Sequence, residues 1–187
     1  MLNMLMMHAA VFADFSNSHI IRMIKQTIAT SIKYGNYKHM QNNVRRWKHV
    51  IEKNWALICK AVGISPLEDV KIHWRPIKGD VKGNYASHQN TINMDSRKYC
   101  NTQDMIETLG HELTHYKQYS DGRLVVRYDR KAAKWTSIWG GKTFKPTTTW
   151  NAYYNLPWEE DARDGGHKVR VAYIDKVSKA WNKAKAA

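Results

Sequence analysis

Apolar positions recur at helical spacing in four stretches of the chain, and the stretches between them alternate or carry turn residues. Ile20, Ile24, Ile28 and Ile32 form a stripe that predicts a helix over residues 18–34, stopped at Gly35. A second helix is expected over residues 40–62, where Val44, Trp47, Ile51, Ile58 and Val62 share one face. Gly63 ends it and Pro66 prevents its continuation. From Glu68 the period changes. Residues 70–77 alternate and are rich in β-branched side chains, which predicts a strand, and 78–84 is turn chemistry. Tyr85–Ala86 and Thr91–Met94 read as extended pieces around a turn at 87–90, giving a small antiparallel sheet.

The third periodic stretch runs from Asn101 to Gly122, with Ile106, Leu109, Leu113 and Tyr116 on one face. Asn101 or Thr102 caps it, Asp104 complements the helix dipole, and Asp121-Gly122 closes it. Residues 123–128 and 133–139 read as extended, with a hairpin turn at Gly140-Gly141. Pro157 opens the fourth helix, with Asn155 placed as its cap and three acids following. That helix is expected to reach about residue 184, weakened or broken early at Gly165-Gly166. Val169, Tyr173, Val177, Ala180 and Trp181 carry its apolar face. The pattern is that of an α+β protein: residues 1–65 form a helical region packed on the core, and 66–187 form the main domain.

Composition agrees with a folded chain. The 187 residues are 43% hydrophobic and 11% aromatic, enough for one compact domain. The net charge of +14 is unevenly spread. Residues 1–65 hold nine Lys/Arg against two Asp/Glu, 66–122 seven against eight, and 123–187 fourteen against six. The basic flanks suit an acidic protein or a nucleic acid, although no nucleic-acid motif accompanies them, and solvated helix faces have the same composition. Cys59 and Cys100 make no disulfide framework and fit a reducing compartment, so a cytoplasmic location is expected. A faint cleavage-like Val11-Phe12-Ala13 keeps secretion open, and no run reaches transmembrane length.

The third helix contains His111-Glu112-Leu113-Thr114-His115, an H-E-x-x-H pentapeptide. Residues four apart on a helix lie about 40° apart around the axis, one turn above the other. His111 and His115 therefore project from one face and can converge on one ion. Two imidazoles suit Zn²⁺, which lowers the pKa of its bound water to about 7. Glu112 lies about 100° around from His111, beside the ion, where a carboxylate can take a proton from that water. Leu113 points into the core.

A catalytic zinc needs a third protein ligand. The extended H-E-x-x-H-x-x-G-x-x-H pattern would require glycine at Gln118 and histidine at Asp121, so that class is excluded. His167, beside Gly165-Gly166, and Glu159, at the start of the fourth helix, are both candidates. Here the sequence resembles a known family. Tyr153, Pro157, Glu159, Asp161 and Ala162 follow a Y-x-x-x-P-x-E-x-E-A register, with Asp161 in place of the second Glu. Trp139-Gly140-Gly141-Lys142 is similar to a W-x-G-K hairpin. Together with the pentapeptide, these motifs resemble gluzincin-type metallopeptidases, in particular small ones common in bacteria and their phages. The resemblance covers roughly residues 70–165 and implies a zincin-like fold with Glu159 as third ligand. It also implies that Tyr153, with Tyr154 beside it, reaches the site to stabilise an oxyanion. Asp161 or Glu160 would orient a ligand histidine.

These features lead to the expectation of a zinc metallopeptidase acting on a protein or peptide, with Glu112 as general base. A phage origin would extend the location to the host cytoplasm or the virion. Thr91–Met94 is the strand expected to bind substrate by strand addition. Two rival readings keep the zinc: a non-catalytic, zinc-stapled component of a larger assembly, and a protease docked on nucleic acid through its basic flanks.

Overall fold

The computed structural model describes residues 41–130 and 133–186. The expected helix at 18–34 and the apolar N-terminus lie outside the described residues. Residues 44–187 form one compact unit. It is α+β: helix α1 (41–62), two three-stranded sheets, α2 (Thr102–Ser120), the short α3 (Trp150–Tyr154) and α4 (Pro157–Ala186). Among the described residues no helix is long and apolar enough to cross a membrane.

The core forms where the apolar stripes meet. Trp47, Ile51 and Ile58 of α1 pack with Ile92 and Met94, with Met105, Ile106, Leu109 and Leu113 of α2, and with Val169 of α4. The helix α2 begins as its sequence dictates: the Asn101 side chain accepts the Asp104 N–H at 2.9 Å, and Gly122 takes φ +68° just past its end.

The first sheet holds β1 (Lys71–Trp74), β2 (Gly83–Ala86) and β3 (Thr91–Met94) in the order β1-β3-β2. It is mixed, not wholly antiparallel: β2 pairs antiparallel with β3, but β1 pairs parallel with it. Two facts explain the departure. Every residue of β3 is buried, which places that strand in the middle. The connection from β1 to β2 cannot be a hairpin, because the loop is pinned elsewhere. Lys98 Nζ donates to the carbonyls of Ile77, Gly79 and Val81 at 2.8, 2.5 and 2.7 Å, and Asp95 accepts the Ile77 N–H at 2.8 Å. Burial alone would raise the Asp95 pKa, but hydrogen bonds from Arg97 and from the Ile77 and Arg97 amides outweigh it and hold the carboxyl at about 2. The strand expected over 70–77 ends at Trp74, just before Pro76, which has no N–H to donate.

The second sheet is the meander β4 (Leu124–Asp129), β5 (Lys134–Trp139) and β6 (Lys142–Phe144), with Gly140-Gly141 in the β5–β6 turn. Asn155 does not cap α4: it is the C-cap of α3, whose own N-cap is Thr149. The glycine pair does not break α4 either. A Cβ at Gly166 would lie 2.6 Å from the Glu107 carbonyl oxygen, and one at Gly165 would lie 1.9 Å from Thr114 Oγ1. The glycines allow α4 to press against α2, and that contact supports the helix that local propensity disfavours.

Candidate metal centre

The α2–α4 crossing brings three side chains together. His111 and His115 stand one turn apart on α2, their rings 4.7 Å apart at 86°. Their Nε2 atoms approach to 3.1 Å. Glu159, in the first turn of α4, places Oε2 3.5 Å from His111 Nε2 and Oε1 3.5 Å from His115 Nε2. The three residues form a group that could hold a metal ion. Donors in tetrahedral array about 2.0–2.1 Å from a zinc ion lie about 3.3–3.4 Å from one another, so the set fits an ion of that size. His167 is exposed and outside this group.

The electrostatics favour a cation. Glu159 is buried, which alone would raise its pKa; hydrogen bonds from His111, His115 and the Tyr153 hydroxyl outweigh burial and hold the carboxyl far below its usual range. The pKa of His115 is raised: burial opposes its charged form, but Glu159 and Glu112 favour it more strongly. A cation between these groups would replace the proton that the acids favour.

Gln118 fixes one histidine. It is fully buried, its Oε1 lies 2.9 Å from His115 Nδ1, and its Nε2 donates to the Trp158 carbonyl at 2.8 Å and to Asp161 Oδ2 at 2.9 Å. Since its amide nitrogen is committed, its oxygen must face the imidazole. Nδ1 then keeps its hydrogen, so Nε2 is the nitrogen that would give up its proton and present a lone pair to an ion. Asp161, itself paired with Arg123 at 3.0 Å, thus acts on His115 through Gln118, and Glu160 is exposed. Gln118 entered the sequence reading only as a departure from a longer motif. Its position three residues after His115, on the same helix face, was the available signal.

Glu112 is buried beside the group and accepts the Tyr85 N–H of β2. Burial raises its pKa, and Glu159 adds to this, while the neighbouring histidines oppose both. A Cβ on Gly83 would lie 3.2 Å from Glu112 Cγ, so a glycine there lets the strand lie directly over the carboxylate. The Tyr153 hydroxyl reaches Glu159, and burial pushes its pKa up. The Tyr154 ring instead stacks with Arg163, whose guanidinium carbon is 3.7 Å from the ring centre.

The chain matches no family model, no curated protein and no solved structure.

The group lies in an open cleft of about 1190 Å³. Residues 80–85 form one wall, α2 the floor, and the second sheet, α3 and the start of α4 the other wall. Thr91–Met94 is not the strand at this cleft. It is the central strand, paired on both sides, and the edge strand facing the cleft is β2.

Proposed function

We propose that the protein is a zinc-dependent metallopeptidase of zincin-like fold, hydrolysing peptide bonds in the cleft above His111, His115 and Glu159. One observation carries this reading: three donors converge at the floor of an open cleft with a buried carboxylate, Glu112, directly beside them. The donors are two imidazoles and a carboxylate, a set that suits Zn²⁺ in hydrolases and leaves room for water and substrate. Zinc in this position would supply Lewis acidity toward the scissile carbonyl and acidify a water molecule.

The remaining work falls to side chains. Glu112 accepts the proton of the attacking water and passes it to the departing amine, a role for which burial, by raising its proton affinity, prepares it. The Tyr153 hydroxyl, kept protonated by its raised pKa, donates to the oxyanion as charge develops. Strand β2 offers the backbone groups for an extended peptide. The preceding Lys82 carbonyl accepts from Asp95 N–H across the sheet, so the alternation of peptide groups turns those of Gly83 and Tyr85 toward the cleft. The Tyr85 N–H is held by Glu112, which leaves the Gly83 N–H and the two carbonyls for a peptide. A zinc that only stapled α2 to α4 would require neither Glu112 nor a cleft.

The test is zinc content and proteolysis of wild type and of Glu112→Gln. Bound zinc in both, with hydrolysis only in wild type, is the expected result. A wild type that takes up no zinc, or a variant of undiminished activity, overturns the proposal.

A further inference from the structure

The β4–β5 hairpin has two unlike faces. Residues directly opposite in an antiparallel pair share a face. The register therefore puts Leu124, Val126 and Tyr128 on the same side as Trp139, Ser137 and Trp135. The other side carries Val125 and Ile138 near its base, and Arg127, Thr136 and Lys134 farther out. At its base the apolar side is packed: Leu124 is buried, and Trp139 and Phe144 set their rings 6.4 and 5.3 Å from that of Trp158. Farther along, it is open. Val126 is 38% exposed, Tyr128 49% and Trp135 59%, the last two with ring centres 5.0 Å apart. Leu124, Val126 and Ser137 line the cleft that holds the histidines, and so does Trp150, which is 70% exposed. A two-faced sheet ordinarily turns its apolar side onto a core. Here part of that side lies bare along one wall of a cleft.

The position of the wall along the cleft follows from α2. Gly83 lies against Thr108 and Glu112, and Tyr85 lies against Tyr116 and Tyr119 with ring centres 5.9 and 5.7 Å apart, so β2 and α2 run in the same direction. Lys82 pairs with Asp104 at the other end. The hairpin springs from the C-terminal end of α2, the end to which β2 runs. Antiparallel pairing is the more stable per residue, and a peptide pairing so with β2 enters with its N-terminal half at this end.

We infer that the inner face of the β4–β5 hairpin, with Trp150, is a docking wall for a large apolar or aromatic side chain on the N-terminal side of the scissile bond. The inference rests on the peptidase reading for the bond. The occupant is an extended peptide because the apolar wall continues into a cleft whose other wall is an edge strand with outward backbone groups. The polar end of the cleft, with the ion pair Lys82–Asp104 (2.6 Å), receives the C-terminal half.

Two measurements test it. Wild-type protein is incubated with a mixture of peptides and the cleavage sites are sequenced. Peptides differing at one residue, Phe against Ser, are also titrated against Glu112→Gln protein as purified. The expected result is enrichment of Phe, Tyr, Trp, Leu or Met N-terminal to the cut, and at least tenfold tighter binding of the Phe peptide. Val126→Asp and Trp150→Ala should each reduce both effects with zinc content unchanged. Cleavage without such enrichment, enrichment only C-terminal to the cut, or variants that keep the preference would overturn the docking wall and leave the peptidase reading standing. Apolar peptides that bind Glu112→Gln protein and lose that binding in the Val126→Asp background, with no hydrolysis by wild type, would support the wall and sink the peptidase reading.

Discussion

Gln118 governs which nitrogen of His115 is free to meet a metal. Its amide nitrogen donates twice, to Trp158 and Asp161, so a flip of the amide would set its oxygen against two acceptors. Replacing it by Leu fills the space but leaves His115 Nδ1 without its acceptor. Loss of such a supporting partner costs about 10- to 100-fold in metal affinity. Gln118→Leu is therefore expected to weaken zinc binding by that factor while the far-ultraviolet dichroism stays that of wild type; competition with a chromophoric chelator measures it. Affinity equal to wild type would show that His115 is oriented by something else. His111, Glu112 and His115 were legible in the sequence because helical spacing alone dictates which side chains share a face. Gln118 was not, because a lone polar residue carries no periodic signal and its partners lie some forty positions downstream.

Among the elements, the crossing of α2 and α4 decides whether Glu159 meets the histidines at all. Sequence propensity misjudged it. Glycine in a helix interior costs about 1 kcal/mol relative to alanine, so Gly165-Gly166 read as a break. What propensity omits is the neighbour: Val169 closes on Gly110, and the Glu107 carbonyl sits against Gly166. The two effects have opposite signs. On an isolated helix Gly166→Ala would stabilise by about 1 kcal/mol; against a backbone oxygen that cannot step aside, overpacking costs about 1–3 kcal/mol. The packing term should win, giving a lower urea midpoint for Gly166→Ala and weaker zinc binding as α4 lifts Glu159 away. A raised midpoint would mean that the helices are less tightly crossed than the structure has them. Sheet topology escaped the sequence for a similar reason. Residues 70–94 alternate correctly, but which strand is central depends on Lys98 and Asp95 pinning the intervening loop, contacts made outside the strands themselves.

At the scale of the whole molecule, helix and strand periods sufficed for the α+β class, because each is a local property. The cleft was not legible, since α2 and residues from 80–85, 124, 126, 137 and stretches of 145–159 build it and no period connects them. The same dispersal makes the centre a staple between distant segments, whatever its chemistry. An ion held by α2 and α4 binds only the folded chain, so it adds RT ln(1 + [L]/Kd), about 2.7 kcal/mol at a hundredfold excess over Kd. For a unit of this size each kcal/mol shifts the melting temperature by about 2–4 °C, so saturation should raise it by about 5–11 °C. Stripping the protein with a chelator should lower the transition by that amount. Zn²⁺ should restore it and Mg²⁺ should not, since imidazole donors suit the first and not the second. Glu159→Gln, which keeps the shape but removes the anionic donor, should show a smaller response to Zn²⁺. Calorimetry of the stripped and reloaded proteins decides it. An unchanged transition on stripping and reloading would mean that His111, His115 and Glu159 hold no ion in solution, and recovery with Mg²⁺ would point to a site of oxygen donors somewhere else.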